Sequence, residues 1–310
     1  MPIRLVAHLP EHAAMVRWLQ ADHALLIGRA ERAGLRLNHG SVSREHAVIE
    51  PMTGGAGAGA GADVDSGRWR LRDLGSKNGS FVDGVRVQDV ALSGDCWLRF
   101  GDVFCECVRV DQAAADAALA DERDRRARAT AHTVRIEGID RVEALLEESL
   151  RGVIELAQCE RGCVLISEGG RTTVRASLGL APESLTGAVF SGSVGALQRA
   201  MSGRQSVVVN DIATTAWLAS RHSVATAGLS ALICLPLLDG DQVLGAIYAD
   251  RVRPGPPITA LDQALLEAFA ERAALWLAAR RMRALLDGDA PVPDAHDWRR
   301  ILAAHGGGAV

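Results

Sequence analysis

Three short stretches of this chain carry side chains suited to holding a phosphate. They are Gly28-Arg29, Ser41-Val42-Ser43-Arg44-Glu45-His46 and Gly75-Ser76-Lys77-Asn78-Gly79-Ser80. A guanidinium presents planar, paired N–H donors that match phosphate oxygens, so Arg29 and Arg44 suit an anion. Ser43 adds a short hydroxyl donor. The Asn78 amide both donates and accepts, so it can bond to a peptide main chain as a neighbouring strand would. Gly79 permits a tight turn beside it. Nothing in the set is a nucleophile with an adjacent base. The chemistry is therefore recognition of phosphate and not its cleavage.

The same residues exclude other chemistries. Of 34 basic residues only Lys77 is a lysine, which leaves 33 arginines. A phosphate-cradling P-loop needs lysine after a spaced pair of glycines and before Ser or Thr. Lys77 precedes Asn78, so that motif is missing, and a kinase-type strand lysine is missing too. A net charge of −4 gives no electrostatic footprint for nucleic acid, so no direct nucleic-acid partner is expected. No apolar run reaches the roughly 18–20 residues of a membrane span, and the N-terminus lacks a secretory h-region. Cytoplasmic location is the expectation. Six cysteines, at 96, 105, 107, 159, 163 and 234, form neither C-x-x-C nor a zinc spacing. Cys105 and Cys107 alternate on one strand face, and all six read as buried free thiols of a reducing compartment. Neither a metal nor a cofactor is expected.

Elements of three kinds must position these residues. Residues 1–110 read as short strands at 3–9, 24–27, 47–50, 68–71, 81–82, 97–100 and 103–110. Asn78-Gly79, Asp83-Gly84 and Ser93-Gly94-Asp95 mark turns, so an all-β sandwich is expected. The GGAGAGAG run at 54–61 reads as a hairpin insertion and not as a dinucleotide loop. Residues 111–135 are rich in Ala, Arg, Asp and Glu and predict a solvated helical linker. Residues 136–285 predict an α+β domain. It has an amphipathic helix from Val142 to Ile154, strands at 162–167 and 172–177, a helix at 194–201 and strands at 231–238 and 243–249. Asp239-Gly240 joins the last two. A terminal helix is capped by Thr259 and Asp262, with Leu261, Leu265, Phe269 and Trp276 on one face. Residues 286–310 are expected to be a flexible tail.

Gly28-Arg29, Ser43-Arg44-Glu45-His46 and Asn78-Gly79, closed by Phe81-Val82-Asp83-Gly84, resemble the forkhead-associated (FHA) family over about residues 3–110. The resemblance implies a β-sandwich that binds phosphothreonine peptides through its apical loops. It implies phosphate contacts from Arg29, Ser43 and Arg44, and a main-chain contact from Asn78. Lys77 either adds a charge contact or faces solvent. Gly28 and Gly79 shape the loops. His46 reads as a structural residue bonding its own loop and not as a catalytic base.

Arg161-Gly162, the 203–212 stretch, Leu229–Leu237, the Gly245–Asp250 strand and the terminal helix resemble the GAF family. That resemblance implies a small-molecule sensor or dimerisation module. Arg221-His222-Ser223 lacks the cysteine of bilin binders. Asn210-Asp211 does not continue as in cyclic-nucleotide binders. Cys159, Cys163 and Cys234 invite a weaker comparison with GAF-fold redox enzymes. The expected protein is thus a non-enzymatic signalling adaptor. Its partner would be a phosphothreonine protein made by a Ser/Thr kinase, and it would form a homodimer through the GAF domain and linker helices. The alternative is a truncated or split sigma-54-type transcription regulator lacking its ATPase and DNA-binding modules.

Overall fold

The computed structural model of the protein describes residues 1–9, 12–20, 23–52, 68–168, 171–180, 190, 192–210 and 228–287. The Gly/Ala run at 54–61, residues 221–223 and the tail from Gly288 lie outside them. The chain divides into two compact units inside one long helix, the first ending at Glu122 and the second beginning at Arg123.

The first unit contains β1 (Ile3–His8), β2 (Met15–Leu19), β3 (Leu25–Gly28), β4 (Leu35–Arg36), β5 (Ala47–Pro51) and β6 (Trp69–Asp73). Then come β7 (Ser80–Val82), β8 (Val85–Val87), β9 (Asp89–Leu92), β10 (Cys96–Phe100) and β11 (Val103–Arg109). They form a six-stranded sheet ordered β2-β1-β11-β10-β7-β8 and a five-stranded sheet ordered β4-β3-β5-β6-β9. Alternation turns one face of each sheet inward. Leu5, Ile27, Ile49, Leu71, Leu98, Phe100 and Cys105 are fully buried in one shared core. Trp69 is buried with them, and its indole N–H donates to the Met1 carbonyl at 3.0 Å. The seven strands expected from apolar runs are present. The four that carry no such signal, β2, β8, β4 and β9, are the two edges of each sheet.

Helix α1 (Gln112–Glu137) is longer than the expected linker. It is also not solvated all round, because Ala129, His132 and Ile136 are buried. His132 sits between two carboxylates of the next helix, with Nε2 at 2.9 Å from Glu155 Oε2 and Nδ1 at 3.5 Å from Glu148 Oε1. The seat for the helix is therefore polar as well as apolar, which an apolar pattern cannot announce.

The second unit contains α2 (Val142–Leu156), β12 (Arg161–Glu168), β13 (Arg171–Leu178), α3 (Val194–Gly203), β14 (Val207–Val209), β15 (Ala231–Asp239), β16 (Gln242–Arg251) and α4 (Ala260–Asp287). Its antiparallel sheet is ordered β13-β12-β16-β15-β14. Val164, Ile233, Leu235 and Ile247 pack against α2 and α4 on one face. Cys163, Leu165, Cys234 and Tyr248 pack against α3 on the other. Both faces are covered, which is why these strands read as unbroken apolar runs.

Gly240 turns the β15–β16 hairpin at φ 54°. The expected cap of α4 forms reciprocally. Thr259 N–H and Oγ1–H donate to Asp262 Oδ2 at 2.8 and 2.7 Å, and Asp262 N–H donates to Thr259 Oγ1 at 3.2 Å. The buried stripe of α4 differs from the expected one. It runs through Leu266, Phe269, Ala270, Ala273, Ala274 and Leu277, while Leu261, Leu265 and Trp276 are only half-buried.

Candidate functional site

Strand β3 ends at Gly28, and a Cβ there would lie 2.2 Å from the Arg44 carbonyl oxygen. Only glycine lets the two loops pass this closely. The loops are zipped together by backbone bonds, Arg29 N–H to Ser43 O at 3.0 Å and Ala30 N–H to Arg44 O at 3.1 Å. His46 fixes the third loop to these two. Its Nδ1 accepts from Ser43 N–H at 3.1 Å, and its Nε2 donates to the Gly79 carbonyl at 3.1 Å. One nitrogen must accept and the other donate, so the ring is neutral. Burial holds its pKa below the ordinary histidine value, against the opposing pull of the Gly79 bond and nearby Asp73. His46 bonds its own loop as expected, and it also bonds a loop 33 positions away.

The third loop is built on Asp73, a residue the sequence reading passed over. Asp73 Oδ1 accepts from the N–H groups of Gly75 and Ser76 at 2.9 and 2.8 Å. Its Oδ2 accepts from the hydroxyls of Ser76 and Ser80 at 2.7 and 2.6 Å. Ser76 Oγ in turn accepts from Gly79 N–H at 3.0 Å. Burial alone would raise the Asp73 pKa. The bonds from Ser80 and Ser76, with His46 nearby, outweigh it and hold the carboxyl below its ordinary value. The Asp-x-Gly-Ser run is the signal that could have revealed it, since such aspartates bond their own turn. Gly75 and Gly79 take φ values of 77° and 82° within the turn.

The structure brings all five predicted ligands to one end of the sandwich. Ser43 Oγ accepts from Lys77 N–H at 3.0 Å. The hydroxyl oxygen is thereby held, and its own proton has no acceptor among the described residues. Asn78 Nδ2 donates to Ser41 O at 2.7 Å, and the amide oxygen and second amide hydrogen have no partner among the described residues. Arg29, Arg44 and Lys77 are exposed. None of the three has an ion-pair partner among the described residues, whereas Glu45 is engaged by Arg32. Three exposed cationic residues thus share this end of the sandwich with the bonded Ser43 hydroxyl. The contribution of Lys77 that sequence did not reveal is its backbone N–H.

The second unit holds a buried polar chain on the α3 side of its sheet. Arg161 Nε donates to Asp250 Oδ1 at 2.6 Å, Tyr248 Oη to Asp250 Oδ2 at 2.7 Å, and Ser193 N–H to Tyr248 Oη at 3.0 Å. Burial holds Asp250 above the ordinary carboxylate value despite the bonds from Arg161 and Tyr248. Asn210 spends its amide on Ile258, donating to the carbonyl at 3.0 Å and accepting from the N–H at 2.6 Å. Burial pushes the Cys159 thiol up to about 12 and raises the Cys163 and Cys234 thiols as well, away from the thiolate that redox chemistry would need. Among the described residues no His, Cys, Asp or Glu cluster could hold a metal. No described helix is long and apolar enough to cross a membrane.

The FHA domain family model matches residues 25–101, and the GAF domain family model matches residues 141–277. No curated protein sequence matches the chain. Among solved structures, the Rv1747 FHA-1 domain from Mycobacterium tuberculosis is 26% identical over 35% of this chain and 100% of its own, with a TM-score of 0.25. The FHA domain of CT664 from Chlamydia trachomatis is 21% identical over 36% of this chain and 100% of its own, with a TM-score of 0.30. A GAF domain/HD domain protein from Geobacter sulfurreducens is 20% identical over 47% of this chain and 98% of its own, with a TM-score of 0.39. The chain therefore carries an FHA domain followed by a GAF domain, two modules of regulatory families.

Proposed function

We propose that this protein is a non-enzymatic signalling adaptor whose FHA domain binds a phosphothreonine protein made by a Ser/Thr kinase. The observation that carries the reading is the Ser43 hydroxyl, bonded by Lys77 N–H at the same end of the sandwich as Arg29 and Arg44, which are exposed and have no ion-pair partner among the described residues. A phosphate brings roughly −1.5 to −2 charges to that end of the sandwich. Each charge-assisted hydrogen bond contributes about 1.5–3 kcal/mol, offset by ordering the peptide, so affinity is expected on the order of micromolar. Asn78 holds the peptide main chain beside the phosphate.

The GAF domain senses a small molecule or mediates dimerisation. Support for the dimer comes from α4, where Ala268, Leu275 and Met282 recur seven residues apart on an exposed line. Leu275 and Met282 are 60% and 61% exposed, unusual for large apolar side chains on a helix whose other face is core.

The test is calorimetric titration of the full chain with a degenerate phosphothreonine peptide library and its unphosphorylated counterpart. Micromolar binding that needs the phosphate and is lost in Arg29→Ala supports the reading. Equal heats from both libraries would remove it. A pulldown from native lysate with wild type and Arg29→Ala then names the partner.

A further inference from the structure

We propose that Cys96 and Cys107 form a reversible cross-strand disulfide, an oxidation site within the FHA sandwich that is separate from its phosphate-binding end. The two residues are direct partners in the antiparallel register of β10 and β11. Directly opposed residues point to the same side of a sheet, with Cα atoms about 4.5–5.5 Å apart. That spacing lies inside the window of about 4.4–6.8 Å that a disulfide needs, so the bond can close without moving the strands. Cys107 is buried in the sandwich core, and Cys96 is half-buried at its border, open to a small oxidant.

The six thiols are not equivalent. Hydrogen bonding with Cys107 holds Cys96 below the ordinary thiol value and pushes Cys107 above it. Burial raises Cys105, Cys159, Cys163 and Cys234. Cys96, half-buried at the border while Cys107 lies in the core, is therefore the attacking thiol, and Cys107 is the resolving thiol beside it.

With hydrogen peroxide as oxidant the chemistry closes. The Cys96 sulfur attacks one peroxide oxygen, an S–O bond forms and the O–O bond breaks. The departing hydroxide takes the thiol proton and leaves as water. The Cys107 sulfur then attacks the Cys96 sulfenic acid, an S–S bond forms and the S–O bond breaks. A second water leaves with the Cys107 proton. Two thiols are oxidised by two electrons, and the peroxide is reduced to two waters. A dithiol reductant reverses the step by exchange.

The bond would staple the far end of the β10–β11 hairpin. The near end of that hairpin supports the phosphate loops, through Gly101 N–H on Gly79 O at 3.2 Å and Asp102 N–H on Ser41 Oγ at 2.8 Å. Oxidation should therefore raise the melting temperature of the sandwich and leave phosphopeptide affinity within about twofold.

The experiment treats the full chain with hydrogen peroxide and digests it with trypsin and a protease cutting after Glu106, which separates Cys105 from Cys107. The expected product is a monomer that has lost two hydrogens, with Cys96 linked to Cys107 and the link cleaved by dithiothreitol. Cys96→Ser should not form it, and Cys159→Ser should. In Cys107→Ala, dimedone should trap Cys96 as the sulfenic acid. Linkage of Cys96 to Cys105 or to another chain would overturn the proposal. So would dimedone labelling of wild-type Cys96 with no link formed.

Discussion

At the scale of single residues, the site rests on which groups are satisfied by the fold and which are left for a ligand. Ser43 receives a bond from Lys77 N–H, and Asn78 gives one to Ser41. Arg29 and Arg44 are exposed and have no ion-pair partner among the described residues. Ser43→Ala or Arg29→Ala should each cost about 1.5–3 kcal/mol of phosphopeptide binding, roughly a 10- to 150-fold loss, with melting temperature nearly unchanged. Calorimetry and thermal melting on the same samples check both halves.

His46 makes a prediction about pH. Its folded pKa lies below the unfolded value of about 6.5. Between those two values the unfolded chain binds a proton that the folded chain does not. Stability is therefore full above about pH 6.5 and falls as pH drops below it. Protonation would also turn Nδ1 into a donor facing the Ser43 N–H. Asp73 acts in the same direction at lower pH, because its stabilisation is present above about 3.9 and lost as pH falls through its depressed folded value. Melting temperature should decline from pH 7 to pH 5, and His46→Gln should flatten that decline while lowering stability throughout. A slope in His46→Gln equal to wild type would refute the assignment.

Elements show where sequence signals are strong and where they fade. The seven strands read from apolar runs sit inside their sheets, where inward faces must be filled. The four edge strands β2, β4, β8 and β9 have a neighbour on one side only. β8 reads Val-Arg-Val with its first two residues exposed, so no buried face imprints a period on it. The α4 cap was legible because a capping box is local chemistry within four residues. What sequence did not reveal is that Asp262 also receives Arg125 from α1, with Nη1 at 3.0 Å from Oδ1. Asp262→Ala should therefore cost more than a lost cap. About 2–3 kcal/mol is expected, against about 1 kcal/mol for Thr259→Ala, read as shifts in the urea midpoint at constant m.

Taken as a whole, the molecule joins a recognition module to a module with an apolar stripe left outside. If α4 is the dimer face, the full chain should sediment as a dimer. Leu275→Glu with Met282→Glu should then convert it to a monomer while circular dichroism and phosphopeptide affinity stay unchanged. A wild-type monomer at tens of micromolar would refute this.

By itself the sequence determined the order of the two modules and the three local motifs that carry the five candidate ligand residues. These depend on residue type and local spacing, which a linear chain displays. Only the tertiary structure decided that His46 bridges loops 33 positions apart, that Asp73 holds the third loop, and that Lys77 contributes its backbone N–H to Ser43. It also decided which of six cysteines stand opposite each other. Each of these turns on a partner distant along the chain, and such partners are set by sheet register and burial, which leave no mark on neighbouring residues.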